Sequence, residues 1–307
     1  MSIKKYYEFI NEDELEDEDP EQVSDPTDPK NFAQSFAKFK EFLDRKSGKE
    51  PAPMEMDPSV TSGRMYSAGS GDFSNVDKMI ELVVKYLNKH GITNPLVQRA
   101  ILATIGKESG FTSTKEASYK NTSPARIKQV FGSRFANLSD EEIEALKKDD
   151  KAFWEKVYGG DWGKRYLGNI QPGDGAKYIG RGFNGITGRS NYQTYTNMLR
   201  KAGTNVDLIS NPEMLEKSPD LSAEVNALYF LRGLSDPIIK RKYGNSDPND
   251  FQDFQTALKA VVNANAGSGT DINRGFAKTS YDSAIAANSK FGSKFDKAIS
   301  GDMSRTA

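Results

Sequence analysis

Cysteine is absent from this 307-residue chain, and histidine occurs once, as His90. The first absence excludes disulfides, thiolate metal centres and cysteine nucleophiles. The second excludes zinc sites built from several histidines. A serine nucleophile would have to recruit His90. That residue lies in YLNKHGITNP, at an expected helix end where the helix dipole favours it. No apolar run approaches the roughly 20 residues that cross a bilayer, and the first residues lack the apolar stretch of a secretory signal. There is no Walker loop, no dinucleotide fingerprint, no internal repeat and no strand alternation beyond a short hairpin within residues 160–190. An enzyme drawn from this composition is expected to work without metal or cofactor, using carboxylates as acid and base.

Charge is near balance overall but unevenly placed. The net is −1, yet residues 1–30 hold three lysines against eleven acids, a local balance of −8 that leaves +7 on the rest. A mildly basic body favours an anionic polymer. Residues 1–72 read as an acidic, extended tail: a short aromatic segment KKYYEFINE, the acidic run DELEDED, and a linker rich in Pro, Ser, Gly and Met. Within it, Phe32, Phe36, Phe39 and Leu43 fall on one face of an amphipathic helix over 32–46.

A compact domain is expected over 73–300, and its pattern is mainly helical. Val76, Ile80, Val83, Val84 and Leu87 form the buried stripe of a helix over 75–88. Asn94-Pro95 is an N-cap followed by proline at the first helical position. In the helix that follows, Val97, Ile101, Ile105 and Glu108 share a face. A carboxylate closing an apolar stripe is partly desolvated, which raises its pKa and suits a general acid. Further helices are expected over 124–131, 139–158 (with a Ser139–Glu142 capping box), 191–202, 222–231, 250–262 and 281–299. From Tyr158 to Tyr192 the periodicity stops. This stretch holds ten glycines and six aromatics and reads as the wall of a binding cleft.

Four motifs then occur in order: KESGF at 107–111 with Glu116 downstream, the turn VYGG at 157–160, GDGAKYIGRGFNGITGRSNY at 173–192, and NANAGSGTDINR at 263–274. Together they resemble the family 19 glycoside hydrolases, which include chitinases and phage endolysins, over about residues 75–290. The resemblance implies a two-lobed, lysozyme-like helical domain with a long glycine-rich cleft loop. It implies Glu108 as general acid, Glu116 as base and Thr187 as a holder of the attacking water. It also implies sugar contacts from Asn191, Asn265 and Arg274, with Arg181 in the GRG core, while Tyr119, Tyr178 and Trp162 offer rings that could stack on sugars. Three positions depart from the family pattern: Lys107 stands for the usual histidine, Gly185 for glutamine and Ala266 for the first glycine of Asn-Gly-Gly.

The first twelve residues resemble the capsid-targeting leaders of internal head proteins in T-even-type phages. That resemblance implies cleavage by a prohead protease after Glu12, in Ile10-Asn11-Glu12. The expectation is therefore a phage peptidoglycan hydrolase, endolysin or virion-packaged lysin, acting as a monomer on the β-1,4 glycan backbone. It would reside in the virion interior or the host cytoplasm before lysis, with phage head proteins as further partners and no nucleic acid. Two alternatives stand beside it: a chitinase, and a virion structural or wall-binding protein that kept the fold with little activity.

Overall fold

The computed structural model describes residues 73–112 and 114–301. The tail over 1–72, its helix over 32–46 and the cut after Glu12 lie outside those residues. The described chain is mainly α-helical. Its helices are α1 (Val76–Lys89), α2 (Pro95–Glu108), α3 (Pro124–Phe131), α4 (Ser133–Ala136), α5 (Asp140–Leu146), α6 (Asp150–Tyr158), α7 (Gly160–Leu167), α8 (Asp174–Lys177), α9 (Arg189–Lys201), α10 (Met214–Lys217), α11 (Pro219–Leu234), α12 (Pro237–Tyr243), α13 (Phe254–Ala266) and α14 (Gly275–Ile299). Two short strands, β1 (Thr114–Lys115) and β2 (Arg181–Gly182), pair antiparallel with Thr114 opposite Gly182 and Lys115 opposite Arg181. None of the described helices is long and apolar enough to cross a membrane.

Local chemistry explains most helix starts. Asn75, Asn94, Ser123, Ser139, Ser218, Asp236 and Asp253 each accept a backbone N–H from the first turn, and proline opens α2, α3, α11 and α12. Both halves of the Ser139–Glu142 capping box form. The helix expected over 139–158 is instead two. Asp149 stops α5 from continuing because its carboxylate accepts from Lys151 and Ala152 and caps α6.

The apolar stripes collect into three clusters. The largest joins α1, α2, α13, α14 and one side of α11. A second gathers α3–α6 around Phe131, Phe153 and Trp154. The third packs α9 and α10 against the other side of α11. In α2 the stripe residues Val97, Ile101 and Ile105 are wholly buried, each stabilising the fold by roughly 1.5–3 kcal/mol. His90 caps α1 as expected, but its partner is a side chain rather than the helix dipole alone. Its Nε2 lies 3.1 Å from Glu224, a wholly buried carboxylate that also pairs with Lys89 and accepts from Thr204.

Candidate active site

Glu108 is the last residue of α2, one step beyond the buried stripe, so the packing of Val97, Ile101 and Ile105 carries it to the edge of the core. Its side chain is only 8% exposed. Oε1 accepts from Asn265 Nδ2 at 3.0 Å and lies 2.5 Å from Lys107 Nζ, which is itself buried near the Phe276 ring. Tyr229, half-buried beside this group, is pushed well above the ordinary tyrosine range by burial, by Tyr195 and by the negative charge of Glu108.

The chain then reverses through two left-handed residues, Gly110 (φ 59°) and Phe111 (φ 67°). A phenylalanine tolerates that backbone at a cost of about 1–3 kcal/mol. Its ring offsets the strain by burying itself edge-on against Phe291 and Phe295, 5.6 and 5.9 Å away. The reversal returns the chain along β2, and the antiparallel register sets Glu116 opposite Gly180, with Glu116 N–H donating to Gly180 O at 2.8 Å.

Gly180 is what lets the second carboxylate in. A Cβ there would stand 2.5 Å from Glu116 Oε2 and 3.2 Å from Thr187 Oγ1. The two oxygens thus share one small space above the glycine. Thr187 is buried and donates to Gly185 O at 2.8 Å, while Asn191 Nδ2 donates to Thr187 O at 2.9 Å. Behind them Tyr158 is wholly buried, and burial followed by the charge of Glu116 holds its hydroxyl well above the ordinary range. Glu108 and Glu116 face a common pocket of about 150 Å³, together with Lys115, Phe183, Asn184 and the glycines 180 and 185.

The loop is held by an ion pair. Asp174 is buried, which alone would raise its pKa, but Arg189 grips both oxygens at 2.6 and 2.7 Å and the Gln171 N–H donates to it at 2.9 Å. These bonds keep the carboxyl below the ordinary aspartate range.

The structure therefore brings Glu108, Glu116, Thr187, Asn191 and Asn265 into one neighbourhood. Four other residues expected at the sugar lie elsewhere. Tyr178 is wholly buried, donates to Ile209 O at 3.0 Å and lies under the Arg189 guanidinium. Arg181 pairs with Glu216 and donates to Lys177 O and the Tyr192 hydroxyl, bracing the loop from inside. Tyr119 is stacked on Phe153 within the second aromatic cluster. Arg274 is exposed and pairs loosely with Asp271 at 3.6 Å. None of the four lines the pocket between the carboxylates: Tyr178 and Arg181 are buried inside the loop, Tyr119 is half-buried among the rings of the second cluster, and Arg274 is exposed. Trp162 lies half-buried under the Arg134 guanidinium at 4.4 Å. Lys115, Phe183 and Asn184 were not legible as pocket residues, because a two-residue strand leaves no alternation to read. Among the described residues no group of three or more His, Cys, Asp or Glu side chains is placed to hold a metal ion. No protein-family model matches this chain, and no curated protein sequence matches it.

Proposed function

We propose that the chain is a peptidoglycan hydrolase that cleaves the β-1,4 glycan backbone by single displacement with inversion, on the two-lobed, lysozyme-like scaffold of the family 19 glycoside hydrolases. The observation that carries this reading is the pairing of Glu108 and Glu116 across one pocket, in two different settings. Glu108 is enclosed at a core edge and suits the acid that gives its proton to the leaving glycosidic oxygen. Glu116 lies beside Thr187 and suits the base that takes a proton from water. The water oxygen bonds to the anomeric carbon from the opposite face as the glycosidic C–O bond breaks. Asn265 fixes Glu108, and Thr187 orients the water.

Lys107 supports a second reading. An ammonium 2.5 Å from Glu108 favours the ionised carboxylate, and an ionised carboxylate donates no proton. A wall-binding protein with little activity would tolerate that pair. On the hydrolase reading the two residues share one mobile proton, which moves to Glu108 when the glycan displaces water, since desolvation favours the neutral pair.

A digest of purified peptidoglycan separates the readings, with wild type beside Glu108→Gln and reduced products analysed by mass spectrometry. New reducing ends from wild type alone support the hydrolase. A folded wild type that sediments with the wall and releases nothing supports the binding protein. Chain starting at Asp13 in purified virions would support packaging, and full-length chain confined to the infected cell would support the cytoplasmic endolysin.

A further inference from the structure

Exposed apolar side chains are concentrated on α7 and the turn after it. Among the described residues four large ones are exposed, and two of them, Tyr166 (52%) and Ile170 (62%), stand four residues apart here. Single exposed apolar residues are ordinary, whereas adjoining ones mark a surface that meets a partner. Trp162 adjoins Tyr166. The two share a helix face at i and i+4, and their rings lie 5.3 Å apart, tilted by 31°. Cations brace both rings. The Arg134 guanidinium lies 4.4 Å from the Trp162 ring and is itself fixed by donating to Val157 O at 3.0 Å, while the Arg165 guanidinium lies 5.3 Å from the Tyr166 ring. The pair is therefore set in place without being covered: Trp162 is half-buried and Tyr166 about half exposed.

The inner face of α7 fastens it to the base side of the candidate pocket. Near its start, a Cβ on Gly163 would overlap the Tyr158 carbonyl, and Asn169 Nδ2 donates to that same oxygen at 2.8 Å. Tyr158 is the buried ring beside Glu116. At its end, Leu167 packs so close to Gly188 that a Cβ on the glycine would stand 2.8 Å from the leucine Cβ. Gly188 directly follows Thr187. We propose that the Trp162–Tyr166 pair is an accessory platform for the glycan strand of peptidoglycan, holding sugars beyond those between the carboxylates. This rests on the peptidoglycan reading of the pocket. A pyranose ring has an apolar C–H face that packs on an aromatic ring, and its hydroxyl and acetamide oxygens accept from a guanidinium such as that of Arg165. Rings already braced lose little freedom on binding. A strand that leaves the pocket past Glu116 and Thr187 runs onto α7.

Trp162 supplies its own probe, because the chain has only one other tryptophan, Trp154, and that one is 3% exposed. The test titrates long glycan strands, freed of their peptides by an amidase, into the full chain carrying Glu108→Gln, so that the strand stays uncut, and follows tryptophan emission. A saturable shift is expected, and it should disappear in Trp162→Phe. Tyr166→Ala should raise Kd by about fivefold or more, and Tyr166→Phe, which keeps the ring, should restore it. An unmoved emission overturns the proposal, as does a Tyr166→Ala variant that binds as tightly as its Glu108→Gln parent. An equal response to single-stranded DNA also overturns it and assigns the platform to nucleic acid. The peptidoglycan digest decides the hydrolase separately. Cleavage beside a flat titration ends the platform alone, while a saturable titration without cleavage ends the hydrolase and sustains the platform as a wall-binding surface.

Discussion

Replacing Gly180 by alanine adds one methyl group at the point where the two halves of the pocket meet. The new Cβ would stand 2.5 Å from Glu116 Oε2. An unstrained contact needs about 3.5 Å, so the carboxylate must withdraw by about 1 Å. A shift of that size at a reacting group costs on the order of a hundredfold in rate, or about 2.7 kcal/mol of barrier. Stability should fall only modestly, by about 0–2.5 kcal/mol. Gly180 is not among the glycines with positive φ, and the atom it meets is the end of a flexible side chain. The overpacking cost of about 1–3 kcal/mol is partly offset by the ~0.4–1 kcal/mol that alanine gains from a stiffer unfolded chain. The assay is release of reducing ends from peptidoglycan, with melting temperature measured on the same samples. A double variant adds the decisive control: Glu116→Asp shortens the side chain, so Gly180→Ala with Glu116→Asp should be faster than the product of the two single losses predicts. Full activity in Gly180→Ala would refute the placement of Glu116. So would a rate loss matched by a collapse in stability, or strict additivity in the double variant.

Other outcomes follow from the same geometry. Lys107→Met removes the cation beside Glu108, so the acid keeps its proton to higher pH. The alkaline limb of kcat/KM should move upward by about one unit or more, and an unmoved limb would detach Lys107 from the proton. Asp174→Asn breaks the buried pair with Arg189 and should lose about 2–4 kcal/mol in urea unfolding at neutral pH. Because the folded Asp174 pKa is depressed, the wild-type advantage is present above the ordinary aspartate value and disappears as pH falls through the lower folded value. Stability curves of wild type and variant should therefore converge below about pH 4, and parallel curves down to pH 2 would contradict the assignment.

Much of the helical architecture was legible because capping and periodicity agree. Asn75, Asn94 and Ser139 mark starts that form where expected, and the α2 stripe placed Glu108 at a core edge. Other features depended on distant contacts. The glycine-rich stretch was read as continuous loop, yet Gly160–Leu167 is helical, with Gly168 in the left-handed conformation closing it (φ 64°). A short hairpin does close within 160–190, where Arg181 and Ile186 exchange backbone hydrogen bonds antiparallel at 3.1 and 2.8 Å, but β2 also pairs with residues 114–115 from outside the loop. That pairing alone sets Glu116 above Gly180, and no local periodicity encodes it. Glu224 sits at the middle of an apolar helix and gave no local signal that Lys89 and His90 would meet it. Tyr178 and Arg181 show the limit of motif reading: residues in a specific motif can serve the loop rather than the ligand.

The reversal at Phe111 also has a temporal consequence. The ring that steadies it is covered by Phe291 and Phe295, and α14 makes the most extensive helix contact with α2 among the described residues. Both phenylalanines belong to α14, which at 25 residues is about 37 Å long. During translation, α2 and Glu116 emerge long before the element that fixes the turn between them. An incomplete chain leaves Phe111 bare and its left-handed backbone without compensation. The turn that joins Glu108 to Glu116 is thus fixed only when synthesis has reached α14.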